Sequence, residues 1–214
     1  MTLADLMGDG APEVEVSSLA ASTARVEPGA LFFCVPGFRS DGHLFAPEAV
    51  ARGAVALVVE RPLGLGVPEV VVPSVRAAMG PAAARFHGDP TATLRVVGIT
   101  GTNGKTTTAY LTRALLEAGG RQTGLLGTVT SIVGGEQRPV ERTTPEAIDL
   151  QRSCREMLDA GDRACAMEVS SISRNVACRS IASGVVRTAA RSFPPTTAVT
   201  PPSRPQGRPA DSSR

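Results

Sequence analysis

The sequence predicts an α/β protein in three parts: a small N-terminal α/β unit, the first part of a parallel-sheet phosphate-binding domain, and a disordered tail. Three observations lead there. Short apolar runs alternate with helix-like stretches over the first ninety residues; a glycine-rich loop stands between a strand pattern and a helix pattern near residue 100; and composition changes abruptly after Ser171.

In the first part, residues 31–35 read as a strand, 47–52 as a short helix stopped by Gly53, and 55–59 and 69–72 as two further strands. Residues 75–86 read as a helix, and His87-Gly-Asp-Pro90 as the exit turn that closes a unit spanning residues 1–90.

The second part, residues 91–171, opens with a buried strand over 94–100 and continues into Gly98-Ile-Thr-Gly-Thr-Asn-Gly-Lys-Thr-Thr-Thr108. Lys105 is the only lysine beside twenty-one arginines. An ammonium on a flexible stem can fold under a loop and touch phosphate oxygens, where a planar guanidinium needs room for its fork. Backbone N–H groups freed by the glycines, together with the following helix N-terminus, attract an anion, and the Thr106 hydroxyl is placed for Mg²⁺. The spacing Gly98, Gly101, Gly104 departs from the commonest nucleotide loop, which would need glycine where Ile99 stands. A glycine-rich turn with a solvated lysine is the plain alternative. The strand before the loop and the stripe Leu111, Ala114, Leu115, Ala118 after it count against that alternative.

Further on, Thr143-Thr-Pro-Glu146 has the form of a helix start, with Glu146 able to close a capping box on Thr143. Leu150, Cys154, Met157 and Leu158 then make an apolar stripe. Residues 162–169 return as a strand whose carboxyl end carries Glu168, followed by Ser170 and Ser171, at the edge where open α/β sheets bind ligands.

The third part, residues 172–214, has no lysine or glutamate and six prolines, and disorder is expected from about Ser192 onward. It holds seven arginines against Asp211, so the net +2 of the chain divides into +6 there and −4 over residues 1–171. The basic balance belongs to the tail and does not describe a nucleic-acid surface; a single tyrosine offers little stacking on bases. No apolar run approaches the roughly 20 residues of a membrane span, and the acidic start lacks a basic leader, which predicts a cytoplasmic protein. Cys34, Cys154, Cys165 and Cys178 show no metal-ligand spacing and read as reduced, mostly buried thiols. His43 reads as a structural histidine.

With these residues assembled, residues 14–171 resemble the Mur ligases of peptidoglycan synthesis, most closely the branch that adds the third amino acid. The resemblance rests on Pro28-Gly-Ala-Leu-Phe-Phe-Cys-Val-Pro-Gly37, Ser40-Asp-Gly-His-Leu-Phe45, Thr100-Gly-Thr-Asn-Gly-Lys-Thr-Thr107, Thr143-Thr-Pro-Glu146 and Met167-Glu-Val-Ser-Ser171, in family order. It implies an N-terminal UDP-binding domain and an ATPase domain. It also implies an ATP-dependent amide ligase that phosphorylates UDP-MurNAc-L-Ala-D-Glu and joins an amino acid through an acyl phosphate, acting as a cytoplasmic monomer. Gly101, Thr102, Asn103, Gly104, Lys105, Thr106 and Thr107 would hold ATP, with Lys105 and Glu168 as the catalytic groups and Thr106 and Glu168 on Mg²⁺. Thr23, Phe38, Arg39, Ser40, Thr143, Thr144 and Ser170 would hold the sugar nucleotide.

Two departures shape the expectations. Ser22-Thr23-Ala24 stands where the family has Asp-Ser-Arg, and Ile172 replaces the histidine after Glu-Val-Ser-Ser. A one-base frameshift after Ser171 would account for the second and for the arginine- and proline-rich tail, and little or no ligase turnover is expected of the chain. The alternatives are a non-catalytic nucleotide-binding fragment and a folylpolyglutamate-type ligase; the first ninety residues count against the latter.

Overall fold

The computed structural model describes residues 1–8, 10–37, 40–140 and 145–169. The N-terminal unit runs α1 (Leu3–Met7), β1 (Ser18–Ala20), β2 (Ala30–Phe33), α2 (Ala46–Ala51), β3 (Ala54–Val59), β4 (Glu69–Val71) and α3 (Val75–Phe86). Its four strands form a parallel sheet in the order β1-β2-β3-β4.

Side chains alternate across the two inner strands, and both faces are covered. Leu31, Phe33, Ala56 and Val58 pack with Leu3, Leu6 and Met79 on one face, while Phe32, Leu57 and Val59 pack with Ala46 and Ala49 on the other. Each such large side chain contributes about 2 kcal/mol by leaving water. The apolar runs of the sequence are continuous because neither face meets solvent. Helix α1 was not expected: it is five residues long, too short for a periodic signal, and is set by a capping box between Thr2 and Asp5.

The second unit contains α4 (Pro90–Thr93), β5 (Arg95–Ile99), α5 (Lys105–Ala118), β6 (Thr123–Leu126), β7 (Thr130–Val133), β8 (Glu136–Pro139), α6 (Ala147–Asp159) and β9 (Ala164–Glu168). The sheet order is β5-β9-β6-β7-β8. Strands β5 and β9 are parallel, as expected; β6, which the sequence reading did not include, pairs parallel with β9, and β7 and β8 extend the sheet as an antiparallel meander. The turn between those two is Gly134-Gly135, both at positive φ, which suits the twist of a two-residue hairpin.

Helix α6 starts later than the sequence suggests. Glu146 is its N-cap and makes no side-chain cap bond; its carboxylate instead pairs with Arg76, 3.0 Å away. Thr143 lies outside the described residues, as do Cys178 and the whole expectation of a disordered tail over 172–214. The apolar stripe of α6 is as read: Leu150, Cys154 and Met157 are buried against Cys165 and Met167 of β9. Cys34, Cys154 and Cys165 are buried free thiols, and burial pushes Cys34 and Cys154 up to about 12, which makes them unreactive near neutrality.

His87 closes α3 edge-on to Phe86, with ring centres 5.2 Å apart. Burial first, and the Arg152 charge second, hold its pKa below 6.5. The unfolded chain therefore takes up a proton that the folded chain resists, so this contribution is neutral above pH ~6.5 and destabilising below it. Between pH 7.5 and 5.5 the urea midpoint of the wild type should fall further than that of His87→Gln; equal falls would show that His87 does not contribute.

Candidate functional site

Strand β5 delivers the glycine-rich loop, and α5 begins at Lys105 itself. Gly104 caps the helix in a left-handed conformation (φ +74°) and has no side chain to engage the first helical amides. The first turn also carries no acidic residue, so the positive end of α5 faces outward uncompensated. The Lys105 ammonium folds back and donates to the Gly101 carbonyl at 2.9 Å, lying across its own loop. Gly101, Thr102, Asn103, Gly104, Thr106 and Thr107 are all exposed.

Glu168 ends β9, the strand paired with β5, and its register partner is Ile99, the last residue before the loop. The Val169 N–H donates to the Ile99 carbonyl at 2.7 Å and locks the two strand ends together. Glu168 Oε2 accepts from the Thr128 hydroxyl at 3.3 Å, whereas Oε1 is buried without a partner among the described residues. A buried carboxylate oxygen left this way fits a cation that completes it. Among the described residues no group of three or more His, Cys, Asp or Glu side chains could hold a metal. A hydroxyl and one carboxylate, with waters and phosphate oxygens filling the remaining positions, fit Mg²⁺.

The expected sugar-nucleotide residues are only partly described. Thr23 is half-buried in a 3₁₀ turn, Thr23–Arg25, and Ser40 is exposed, its carbonyl accepting from the Gly37 N–H at 2.9 Å. Phe38, Arg39, Thr143, Thr144 and Ser170 lie outside the described residues. The structure thus brings the glycine-rich loop and Glu168 together at one sheet end and leaves Thr23 and Ser40 with the other sheet.

Sequence reasoning missed what anchors the 36–45 loop. His43, 3% exposed, accepts the Glu60 N–H at Nε2 (2.9 Å), which leaves Nδ1–H to donate to Asp41 Oδ1 (2.6 Å). Arg61 grips the other Asp41 oxygen at 2.7 Å and, with His43, holds that carboxyl well below the usual carboxylate range. His43 is structural, as read.

It also missed how the two units meet. Ala147 and Ile148 at the start of α6 pack into the core of the N-terminal unit, and Arg25 and Arg76 of that unit pair with Asp149 and Glu146 of α6. Exposed ion pairs contribute about 0–1 kcal/mol each; apolar burial docks the helix and the guanidinium contacts orient it. A cleft of about 400 Å³ lies beside this junction, bordered by Ser18, Ser22, Arg25, Glu146 and Arg152.

Residues 15–87 match the family model for the Mur ligase family, catalytic domain, and residues 99–186 match that for the Mur ligase middle domain, which runs past Ser171. The chain belongs to the Mur ligase family.

Among curated relatives, the UDP-N-acetylmuramoyl-L-alanyl-D-glutamate--2,6-diaminopimelate ligase of Geobacillus thermodenitrificans is 48% identical over 157 residues, 73% of this chain and 32% of that protein. The ligase of the same name from Halalkalibacterium halodurans is 43% identical over 166 residues, 78% of this chain and 34% of its own. A solved UDP-N-acetylmuramoyl-L-alanyl-D-glutamate--2,6-diaminopimelate ligase superposes with a TM-score of 0.65 at 27% identity, over 77% of this chain and 34% of that one. MurF ligase from Thermotoga maritima, solved in complex with ADP, gives a TM-score of 0.55 at 24% identity over 77% of this chain and 35% of that one, which shows a shared fold. The chain spans about a third of the length of the curated relatives it matches.

Gly42 tests the anchored loop. A Cβ there would stand 2.5 Å from the Val35 carbonyl oxygen and 2.6 Å from its nitrogen, both backbone atoms that cannot swing aside. Gly42→Ala should cost about 1–3 kcal/mol, the usual range for overpacking, by urea denaturation; an unchanged midpoint would show that the loop is slack.

Proposed function

We propose that this chain carries the nucleotide-binding parts of a Mur ligase that adds the third amino acid, diaminopimelate in the relatives, to UDP-MurNAc-L-Ala-D-Glu. The observation that carries the proposal is the juxtaposition of an outward-facing phosphate loop with the unpartnered buried oxygen of Glu168 at one sheet end. In the intact reaction the γ-phosphate of ATP passes to the D-glutamate carboxylate, and an amine then displaces phosphate from the acyl phosphate.

Such a reaction needs positioning and neutralisation of charge more than a covalent nucleophile. Lys105 exchanges the Gly101 carbonyl for the β- and γ-phosphate oxygens. The amides of residues 101–107 hold the same group through the loop and the first turn of α5. Thr106 and Glu168 hold Mg²⁺, which supplies charge neutralisation on the phosphates when bound. Thr23, Phe38, Arg39, Ser40, Thr143, Thr144 and Ser170 hold the sugar-nucleotide end. The match to residues 15–87 favours this branch over a folylpolyglutamate-type ligase. A monomer working in the cytoplasm on small-molecule substrates completes the proposal.

Because the chain spans about a third of its relatives, nucleotide binding without turnover is the activity proposed for the chain alone. Calorimetry should show ADP and ATP binding that Lys105→Ala weakens roughly 10- to 100-fold, the value of a hydrogen bond to a charged group; equal binding by the variant would remove the loop from the site. Phosphate release in the presence of ATP, UDP-MurNAc-L-Ala-D-Glu and diaminopimelate should stay at background, and sustained release would contradict the non-catalytic part of the proposal.

A further inference from the structure

Among the described residues, Glu168 is held by one oxygen only, and the group that holds it comes from outside the loop and outside β9. Thr128 lies in the turn between β6 and β7, which the Gly127 N–H closes on the Thr130 carbonyl at 3.0 Å. The pairing of Leu126 with Met167 sets this turn alongside the end of β9. Thr128 Oγ1 then donates to Glu168 Oε2 at 3.3 Å.

Gly127 makes the approach possible. A Cβ at that position would stand 3.1 Å from Glu168 Oε1 and 2.8 Å from the Thr130 carbonyl oxygen. The turn therefore offers bare backbone beside one carboxylate oxygen and a hydroxyl to the other. The terminal torsion of a glutamate is broad, so a carboxylate without an anchor spreads its oxygens over many directions. One bonded oxygen removes that freedom and gives the second a fixed aim.

We infer that Thr128 is a positioning residue for the metal–phosphate site: its hydroxyl fixes Glu168 so that Oε1 faces the cation bound with the nucleotide. Thr128 acts through Glu168 and need not touch the nucleotide. The inference rests on the nucleotide-binding function proposed above, and it assigns Gly127-Thr128 to a site built otherwise from β5, α5 and β9.

The test measures ADP affinity of the whole chain in Mg²⁺ and again in EDTA, for the wild type, Thr128→Val, Thr128→Ser and Glu168→Gln. Wild type should bind ADP more tightly with Mg²⁺. Thr128→Val, nearly the same size but without the donor, should lose about 10-fold of affinity in Mg²⁺, in line with the loss of groups that orient metal ligands, and should be unchanged in EDTA. Thr128→Ser should behave as wild type. Thermal unfolding of each variant checks that the fold persists, with Thr128→Ala in place of valine if that variant does not fold. A Thr128→Val protein that keeps the full Mg²⁺ gain while Glu168→Gln loses it would overturn the positioning role and leave the proposed function standing. A wild type that shows no Mg²⁺ gain in ADP affinity would overturn both.

Discussion

The parallel pairing of β5 with β9 is the constraint on which the site depends. It runs without a break from Arg95 opposite Ala164 to Ile99 opposite Glu168, and it ends where the glycine-rich loop begins. A one-residue slip would turn every side chain of β9 to the opposite face, moving Glu168 away from the loop and Met167 from the α6 face to the α5 face. Register is secured by burial: Cys165, Ala166 and Met167 are all within 4% of complete burial, packed on one face by α6 and on the other by α5. The strands that hold the core together are therefore the ones that aim the chemistry.

The same economy joins the two units. The first turn of α6 belongs structurally to the N-terminal unit, because Ala147 and Ile148 are buried with Leu3, Val75 and Met79, while the rest of the helix packs on β9. One helix thus bears on both cores, and Arg25 and Arg76 fix its orientation. Beyond this junction the second unit shows apolar surface: Leu111 is 60% and Leu115 74% exposed on α5. Such exposure on a helix whose other side packs on the sheet suits a domain with further packing to come, in agreement with the third of the relatives' length that the chain spans.

What could be read from the sequence was local. Lys105, the loop glycines and the flanking periodicities are adjacent in the chain, and a strand–loop–helix turn is a local object; the buried parallel strands announced themselves as apolar runs because both faces are covered. The meander was missed for physical reasons. In β6, Gly124 replaces a side chain because Met157 lies over it, where a Cβ would stand 2.6 Å from the Met157 sulfur; β8 is exposed at every residue and carries no apolar pattern. Only Gly134-Gly135 marked the hairpin. The pairs Arg25–Asp149 and Arg76–Glu146 span 124 and 70 residues, and the Thr128–Glu168 contact spans 40, separations over which no periodicity reports.

In the proposed function the loop amides and the α5 N-terminus are the seat of a phosphate. The most direct measurement is an amide-resolved nuclear magnetic resonance titration of the chain with ADP and Mg²⁺. The predicted result is large shifts at the amides of residues 101–107, with smaller ones at Thr128 and Glu168, all saturating together. Shifts confined to the N-terminal sheet, or none in the loop at saturating nucleotide, would contradict it.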